Sequence, residues 1–409
     1  MPEAVIVSTA RSPIGRAFKG SLVDVRPDDL ATTIVRAALD KVPGLDPHDI
    51  SDLMLGCGLP GGEQGTNMGR VVAVNLGYDF LPGTTITRYC SSSLQTSRMA
   101  LHAIKAGEGD VFISAGVETV SRFFKGSSDQ IAGQDLTNPI YAQAQARTAA
   151  LAADGGADSW TDPRENGQIP DVYVSMGQTA ENLARLKGVS RQEMDEFAAR
   201  SQNLAERAIA GGFFSREITP ITTPGGTVVS TDDGPRAGVT VESIAGLAPV
   251  FRPDGLITAA NACPLNDGAA AVIIMSDTKA RELGLTPLAR IVSTAVTALS
   301  PEIMGYGPIE ATQLALKRAG KTVDDIDLFE INEAFAAQVI PSYRDLGINI
   351  DKLNVHGGAI ALGHPFGSTG ARITGTLING LQTLDKAWGV ETMCVGGGMG
   401  MAMVLERLS

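Results

Sequence analysis

Two cysteines and one histidine stand in sequence contexts that favour acyl-transfer chemistry. Cys90 lies between a predicted strand and a predicted helix that begins at Ser91, and the dipole and free N–H groups of a helix N-terminus favour the nucleophilic thiolate. His364 lies in GGAIALGHPFG, where glycines allow a ligand to approach the backbone and an imidazole can act as a general base. Cys394 precedes three glycines in CVGGGMG. A second thiol can transfer protons, and the unobstructed N–H groups after it can bind an oxyanion.

Each of these motifs also has an ordinary structural interpretation. A lone cysteine such as Cys90 is commonly a buried apolar residue. His364 fits a histidine in a glycine-rich turn, and the segment after Cys394 fits a glycine-rich hairpin at the end of a strand. Asn332, in the motif NEAF, is a good helix N-cap, although its amide could instead orient a water molecule or a substrate oxygen.

The elements that would position these residues alternate between strand and helix at the start of the chain. Predicted strands cover residues 4–8, 52–57, 84–89 and 111–114, and predicted helices cover 28–42, 69–76 and 91–107, the first of them capped by Asp28 or Asp29. This alternation indicates an α/β layered domain. Cys90 follows the third strand directly.

The alternation stops between about residues 121 and 249, where the chain is richer in glycine, proline and polar residues. One clear helix is predicted there. It is opened by a capping box of Ser190 and Glu193, runs toward Ala210 and is stopped by Gly211. We interpret the stretch as a large insertion packed on the main domain, since segments this long are usually functional covers.

Strand and helix alternate again after Asn266. Predicted strands cover 269–276, 289–294, 328–331, 392–395 and 401–405, and helices cover 308–319, 332–346 and 371–382. A small-residue helix start follows His364 as a serine-rich one follows Cys90, and a strand follows each helix. We interpret this as a weak internal duplication, which would bring the strand ends of two halves together, where α/β sites form.

The charge and cysteine usage exclude several classes of protein. The net charge of −12, from 33 Lys and Arg against 45 Asp and Glu, does not suit duplex DNA or an anionic membrane surface. The four cysteines form no CxxC pair, which argues against a zinc site. No secretory signal and no run of 18 apolar residues is visible. We therefore expect a cytoplasmic enzyme with reduced thiols and no membrane span.

Four motifs in this order, RYCSSSLQ, NEAFA, GGAIALGHP and CVGGGMG, resemble the thiolases over essentially the whole chain, most closely degradative members from actinobacteria. The resemblance implies an α/β fold in which two duplicated βαβαβαββ halves form a five-layered αβαβα core with an inserted loop domain. The implied boundaries are 1–122 with 267–288 for the N-terminal half, 123–266 for the insertion over the CoA site, and 289–409 for the C-terminal half.

The implied activity is the reversible thiolytic cleavage of 3-ketoacyl-CoA to acetyl-CoA and a shortened acyl-CoA, in fatty acid or sterol side-chain degradation. The resemblance makes Cys90 the acyl carrier and His364 its activator. Asn332 would hold a water that binds the thioester oxygen together with His364, and Cys394 would move the α-proton. The N–H groups of Cys90 and Gly396 would bind the acyl-cysteine oxygen. Ping-pong kinetics follow from the covalent intermediate.

The resemblance also places CoA. Met176, Phe251, the backbone of Cys263 and Phe335 match the family's pantetheine tunnel, although Met and Phe are core residues by default. No metal and no tightly bound cofactor is implied; CoA and acyl-CoA are substrates. The family also implies a homodimer or homotetramer, and no nucleic acid partner is expected.

Three positions depart from the family pattern, namely Thr87, Ser93 and Ser175. Short-chain members often carry histidine in place of Ser175, so its small side chain predicts an acyl group longer or bulkier than acetoacetyl. The alternative is a biosynthetic thiolase that condenses two acetyl-CoA. A ketoacyl synthase would lack Cys394, and an acyl-CoA binding relative without catalysis would not need all four motifs.

Overall fold

The computed structural model of the chain describes residues 2–123, 137–153 and 160–409. Residues 124–136 and 154–159, which belong to the predicted insertion, lie outside the described residues. The predicted boundaries of the two halves and the insertion stay a prediction. No helix in the described ranges has the length and apolar character needed to cross a membrane.

Within these ranges the strands form one ten-stranded sheet and a separate small hairpin. The strands are β1 (Ala4–Arg11), β2 (Gly15–Arg16), β3 (Ile50–Gly56), β4 (Gly83–Ile86), β5 (Val111–Thr119), β6 (Ile221–Thr222), β7 (Val228–Val229), β8 (Asn266–Ser276), β9 (Ala289–Ala298), β10 (Leu328–Ile331), β11 (Trp388–Val395) and β12 (Met399–Arg407). The order in the large sheet is β10-β11-β12-β9-β1-β8-β5-β3-β4, with β2 beside β8.

The pairing shows that the chain contains the same sheet twice. In the first half β3 is parallel to β5, and β8 is antiparallel to both β5 and β1. In the second half β10 is parallel to β11, and β12 is antiparallel to both β11 and β9. The halves meet where Val5 and Ile6 of β1 pair with Arg290 and Ala289 of β9. The predicted duplication is therefore confirmed.

Helices lie on both outer faces of the sheet and between its two halves. They are α1 (Pro27–Leu39), α2 (Met68–Asn75), α3 (Ser92–Ala106), α4 (Ala142–Ala153), α5 (Met176–Leu186), α6 (Arg191–Ala210), α7 (Val241–Ala245), α8 (Asp277–Glu282), α9 (Gly307–Ala319), α10 (Ala336–Leu346), α11 (Ala359–Leu362) and α12 (Thr369–Thr383). The bounds of most predicted elements agree with these to within a few residues.

The apolar core separates into layers. Leu94 of α3 and Leu377 of α12 pack between Met54 of β3 and Met393 of β11, so these two helices form the central layer. The opposite face of the first half is covered by α1 and α2, and that of the second half by α9 and α10. The predicted five-layered αβαβα fold is confirmed. Its central layer matters for function because α3 begins next to Cys90 and α12 begins shortly after His364.

Two predicted helix starts are wrong. Helix α1 begins at Pro27, after Arg26 at the cap position, because proline is well suited to the first helical turn; Asp28 and Asp29 lie inside that turn. Helix α10 begins at Ala336, not at Asn332. The residue after Asn332 is the buried Glu333, whose carboxylate accepts hydrogen bonds from Ser201, Asn354 and the Ile360 backbone and anchors the preceding segment outside the helix.

The insertion is more regular than its sequence suggests. The predicted capping box of Ser190 and Glu193 is present at the start of α6, and the helix ends at Ala210 before Gly211. The insertion also contains α4, α5, α7 and the β6–β7 hairpin, which the sequence did not indicate. Helix α5 packs on α10, and α6 packs on both α10 and α11. The insertion thus covers the segment that leads to His364.

Candidate active site

Cys90 lies in a short turn between β4 and α3, formed by residues 89–91. Tyr89 has a positive φ of 44°, a strained conformation for an aromatic residue that costs on the order of 1–3 kcal/mol. The predicted strand 84–89 therefore ends early, at Ile86, because the chain must turn before it reaches the helix. Strain of this size next to a nucleophile is typical of a functional site.

The sulfur of Cys90 is nearly enclosed, with the residue only 9% exposed. Burial raises the pKa of the Cys90 thiol to about 11, although the backbone N–H groups of Gly396 and Cys90 donate to the sulfur and oppose this shift. The predicted preference for the thiolate at a helix N-terminus acts through these donors, but desolvation outweighs them. Burial therefore favours the thiol form of Cys90.

Two further thiols lie beside Cys90. Burial raises the pKa of Cys394 and of Cys263, and proximity to Cys90 contributes to both shifts. Cys394 is the last residue but one of β11 and is fully buried. The backbone N–H of Cys263 donates to the carbonyl of Ala334 at 3.0 Å. Three sulfurs from distant parts of the chain therefore share one apolar environment.

His364 is 1% exposed and its two ring nitrogens have different partners. Nδ1 lies 2.7 Å from Thr369 Oγ1, which itself donates to the Pro365 carbonyl at 2.9 Å. Since that hydroxyl proton is used, Thr369 Oγ1 accepts a hydrogen bond from Nδ1–H, and Nε2 carries the lone pair. Nε2 lies 3.3 Å from Asn332 Nδ2. Burial, with the nearby Arg372 adding to it, lowers the pKa of His364 to about 3. The imidazole is neutral.

The segment that follows His364 packs against the turn that contains Cys90. Residues 366–368 pack on the turn that holds Cys90, and the ring of Phe366 meets that of His364 edge-on at 5.1 Å. No hydrogen bond joins His364 to Cys90 in the part of the chain that the structure describes. Asn332 has a buried Oδ1 that also lacks a partner there. Asn332 Oδ1 is therefore an acceptor that is available to a water molecule or a ligand.

A cavity of about 290 Å³ opens at the nucleophile. Its lining consists of Gly58, Leu59, Tyr89, Cys90, Val172, Tyr173, Val174, Met176, Phe366, Gly396 and Gly397. Met176 is thus part of the lining, and its predicted contact with the pantetheine arm of CoA stays a prediction. Phe251 and Phe335 do not line this cavity; they pack edge-on with ring centroids 6.2 Å apart, and Phe251 covers Gly177 next to Met176.

Gly396 has a steric reason to be glycine. A Cβ atom at this position would lie 3.3 Å from the Tyr89 ring, closer than most real contacts. Glycine therefore allows the N–H of residue 396 to reach the Cys90 sulfur. The N–H groups of residues 90 and 396 both donate to that sulfur, and their predicted binding of the acyl-cysteine oxygen stays a prediction.

The three departures from the family pattern lie around this site. Thr87 donates through Oγ1 to the Gly58 carbonyl at 3.0 Å. Ser93 accepts from the backbone N–H of Ala371 at 3.0 Å, which ties α3 to α12. Ser175 is exposed and directly precedes Met176 at the start of α5.

Three residues that contact the site were not predicted from the sequence. Thr369 orients the imidazole, as described above. Asn266 accepts a hydrogen bond from the His364 backbone at 2.9 Å. Glu118 is fully buried and binds the backbone of Gly58 and Gly367. Of these three, only Glu118 could have been noticed in the sequence, because it is an acidic residue that closely follows the apolar strand predicted at 111–114. Among the described residues, no three His, Cys, Asp or Glu side chains are grouped as metal ligands.

Known proteins resemble this chain over its whole length. The model of the thiolase N-terminal domain matches residues 4–278, and that of the thiolase C-terminal domain matches residues 285–407. A 3-ketoacyl-CoA thiolase of Bacillus subtilis (strain 168) is 42% identical, over 99% of this chain and 100% of the relative. An acetyl-CoA acetyltransferase of Cupriavidus necator is 40% identical, over 100% of both chains.

A solved structure agrees in fold as well as in sequence. The crystal structure of the Bacillus anthracis acetyl-CoA acetyltransferase matches with a TM-score of 0.85 and 38% identity, over 100% of this chain and 99% of the other. The resemblance to actinobacterial members in particular stays a prediction. Two domain models, relatives of the same length and a solved structure together show that the chain belongs to the thiolase family of acyltransferases.

Proposed function

We propose that this chain catalyses the thiolytic cleavage of 3-ketoacyl-CoA, with Cys90 as the acyl carrier. The products are acetyl-CoA and an acyl-CoA shortened by two carbons. The observation that supports this most strongly is the surrounding of the Cys90 sulfur: two backbone N–H donors and the thiols of Cys394 and Cys263. A single acyl carrier, a proton donor and an oxyanion site are what the reaction requires.

In the first half-reaction His364 Nε2 accepts the Cys90 proton and the thiolate attacks the 3-keto carbon. The N–H groups of Cys90 and Gly396 bind the resulting alkoxide. Its collapse breaks the Cα–Cβ bond, leaves the shortened acyl group on Cys90 as a thioester, and releases the enolate of acetyl-CoA. Cys394 protonates that enolate. The raised pKa of the Cys90 thiol means that the reaction needs a base, and Nε2 of His364 is the group proposed for it. Because burial also lowers the pKa of His364, the proton is proposed to move as the sulfur attacks the substrate and not in a separate earlier step.

In the second half-reaction the thiol of free CoA attacks the acyl-cysteine. Its proton passes to the Cys394 thiolate that the first half-reaction leaves, the bond between the acyl carbon and the Cys90 sulfur breaks, and Cys90 takes back the proton held by His364. The thioester oxygen of the CoA-linked partner accepts a hydrogen bond beside His364 from a water molecule that is held by Asn332. The unpaired Oδ1 of Asn332 supports this proposal, since a buried acceptor without a partner costs about 1–3 kcal/mol unless a water or ligand satisfies it.

For CoA itself we propose a path along Met176, Phe251, Cys263 and Phe335. A second cavity of about 50 Å³, lined by Arg16 and Arg236 among others, includes residues 259, 260 and 264, which flank Cys263. The two guanidinium groups are suited to the phosphates of CoA. No other cofactor is proposed to bind tightly.

The acyl group is proposed to be longer or bulkier than acetoacetyl, as in fatty acid or sterol side-chain degradation. The cavity at Cys90 shares Gly58, Leu59 and Tyr89 with an adjoining cavity of about 580 Å³. Space on this scale exceeds what an acetyl group fills. The alternative, condensation of two acetyl-CoA, would leave the larger cavity unused.

The enzyme is further proposed to be a cytoplasmic homodimer or homotetramer. The central test mixes the protein with acetyl-CoA and maps any acetyl group by peptide mass spectrometry. We expect the adduct on Cys90 and none in Cys90→Ser. Thiolysis rates across acyl lengths, with branched and ring-bearing substrates, then decide the substrate class; a strict preference for acetoacetyl-CoA would contradict the proposed size. An acyl-CoA binding protein would form no adduct.

A further inference from the structure

Glu118 has an environment that the mechanism above does not use. It lies near the end of β5, is fully buried, and forms no ion pair with the residues that the structure describes. Its carboxylate accepts instead from four N–H groups: Gly58 N at 2.7 Å, Leu59 N at 3.2 Å, Gly367 N at 2.7 Å and Gln64 Nε2 at 2.6 Å. These four N–H donors match the acceptor sites of an ionised carboxylate, and the Cys57 thiol, 3.9 Å from Oε1, is a weak fifth donor.

These donors lie in two parts of the chain, residues 58–64 and Gly367, which meet only in the tertiary structure. Gly58 and Leu59 line the cavity at Cys90. Gly367 follows Phe366, which lines the same cavity, and stands three residues after His364. Residues 58–64 belong to the N-terminal half of the chain, and Gly367 belongs to the C-terminal half. One carboxylate therefore bonds to both sides of the site.

The backbone around Glu118 is built for close approach. The carbonyl of Gly367 lies against Gly116 of β5, where an added Cβ would come within 2.1 Å of it. The loop that follows His364 is thus seated on the end of β5, and the bonds to Glu118 hold it there. Burial raises the pKa of Glu118 to about 7, whereas the four donors act to lower it.

We propose that Glu118 is a positioning residue for acyl transfer: its carboxylate ties the histidine loop of one half to the wall of the nucleophile cavity in the other. It touches no reacting atom. Its effect is exerted through the placement of Phe366 and His364 relative to Cys90. The inference rests on the proposed function, because its consequence is measured as a rate of thiolysis.

The test replaces Glu118 with glutamine, which has the same shape but only one acceptor oxygen and presents N–H groups to other N–H groups. The matched control is Glu391→Gln. Glu391 is equally buried and bonds to Thr374 of α12 at 2.6 Å, away from the cavity lining. Both variants are compared with the wild-type enzyme in melting temperature, kcat and KM for CoA.

We expect Glu118→Gln to fold and to lose about 10- to 100-fold in kcat, as a displacement near 1 Å does in other sites, with little change in KM for CoA. Glu391→Gln should retain kcat. Glu118→Asp keeps the charge but has a shorter reach, and should recover part of the rate. A folded Glu118→Gln with kcat within twofold of wild type would overturn the proposal, as would failure of both Glu118 variants to fold, which would assign the residue to folding alone. Absence of thiolysis in the wild-type enzyme would instead refute the proposed function.

Discussion

His364 Nε2 lies 3.3 Å from the amide nitrogen of Asn332, while Nδ1 lies 2.7 Å from Thr369. Because Thr369 uses its own proton on the Pro365 carbonyl, the hydroxyl accepts from Nδ1 and leaves the lone pair on Nε2. Thr369 therefore determines which ring nitrogen of His364 carries the lone pair.

Removing this hydroxyl should slow the reaction without unfolding the protein. Thr369→Val is expected to lower kcat about tenfold or more, within the usual contribution of a general base, since either ring nitrogen could then carry the proton. Thr369→Ser keeps the hydroxyl and should stay near wild type. Steady-state thiolysis of the two variants gives the comparison, and equal rates would rule out this control of the tautomer.

Gly396 should not tolerate a side chain. Gly396→Ala places a methyl group 3.3 Å from the Tyr89 ring and shifts the N–H away from the Cys90 sulfur. A loss of about 100-fold in kcat is expected, similar to removal of one oxyanion donor. Pre-steady-state acetylation of Cys90 reports the effect directly. If acetylation is as fast as in the wild-type enzyme, Gly396 N–H has no part in the first step.

The reactivity of Cys90 should rise steeply with pH. With the thiol pKa raised to about 11 by burial, the thiolate fraction grows about tenfold per pH unit up to that value. Alkylation of Cys90 by iodoacetamide, followed by peptide mass spectrometry from pH 7 to 10, should therefore increase throughout. A plateau near pH 7 would instead indicate a stabilised thiolate.

The pKa of His364 predicts a second pH effect, on stability. Burial lowers its folded-state pKa to about 3, below the value near 6.5 of an unfolded histidine. The unfolded chain thus binds a proton that the folded chain does not, and the free energy of unfolding should decrease as the pH falls below about 6.5. Urea titrations at pH 7 and 5 measure this. His364→Gln should show a smaller decrease than the wild-type enzyme.

The size of residue 175 should control acyl specificity. Ser175 immediately precedes Met176, and residues 172–174 and 176 line the cavity at Cys90. Ser175→His is expected to reduce kcat/KM for a long 3-ketoacyl-CoA about tenfold, as expected for crowding of an apolar pocket, and to spare acetoacetyl-CoA. Ser175→Ala, which adds no bulk, serves as the control. An unchanged ratio of the two substrates would refute this role.

Much of the architecture was readable from local patterns. Apolar runs marked β1, β3 and β5, and the capping box at Ser190 located α6 within the insertion. Strand β10 was predicted to its last residue. Local patterns worked less well at the edges of the site. The early end of β4 follows from the strained turn at Tyr89, and the late start of α10 depends on the distant partners Ser201 and Asn354 of Glu333.

By itself the amino-acid sequence determined the family, the duplicated α/β architecture and the identity of the candidate residues, because periodicity, caps and short motifs are local properties of the chain. The tertiary structure alone decided the protonation of those residues and how they are held. Cys90 is a thiol and His364 a neutral base because enclosure by both halves removes water, and the Glu118 carboxylate is positioned between segments that only the folded chain brings together.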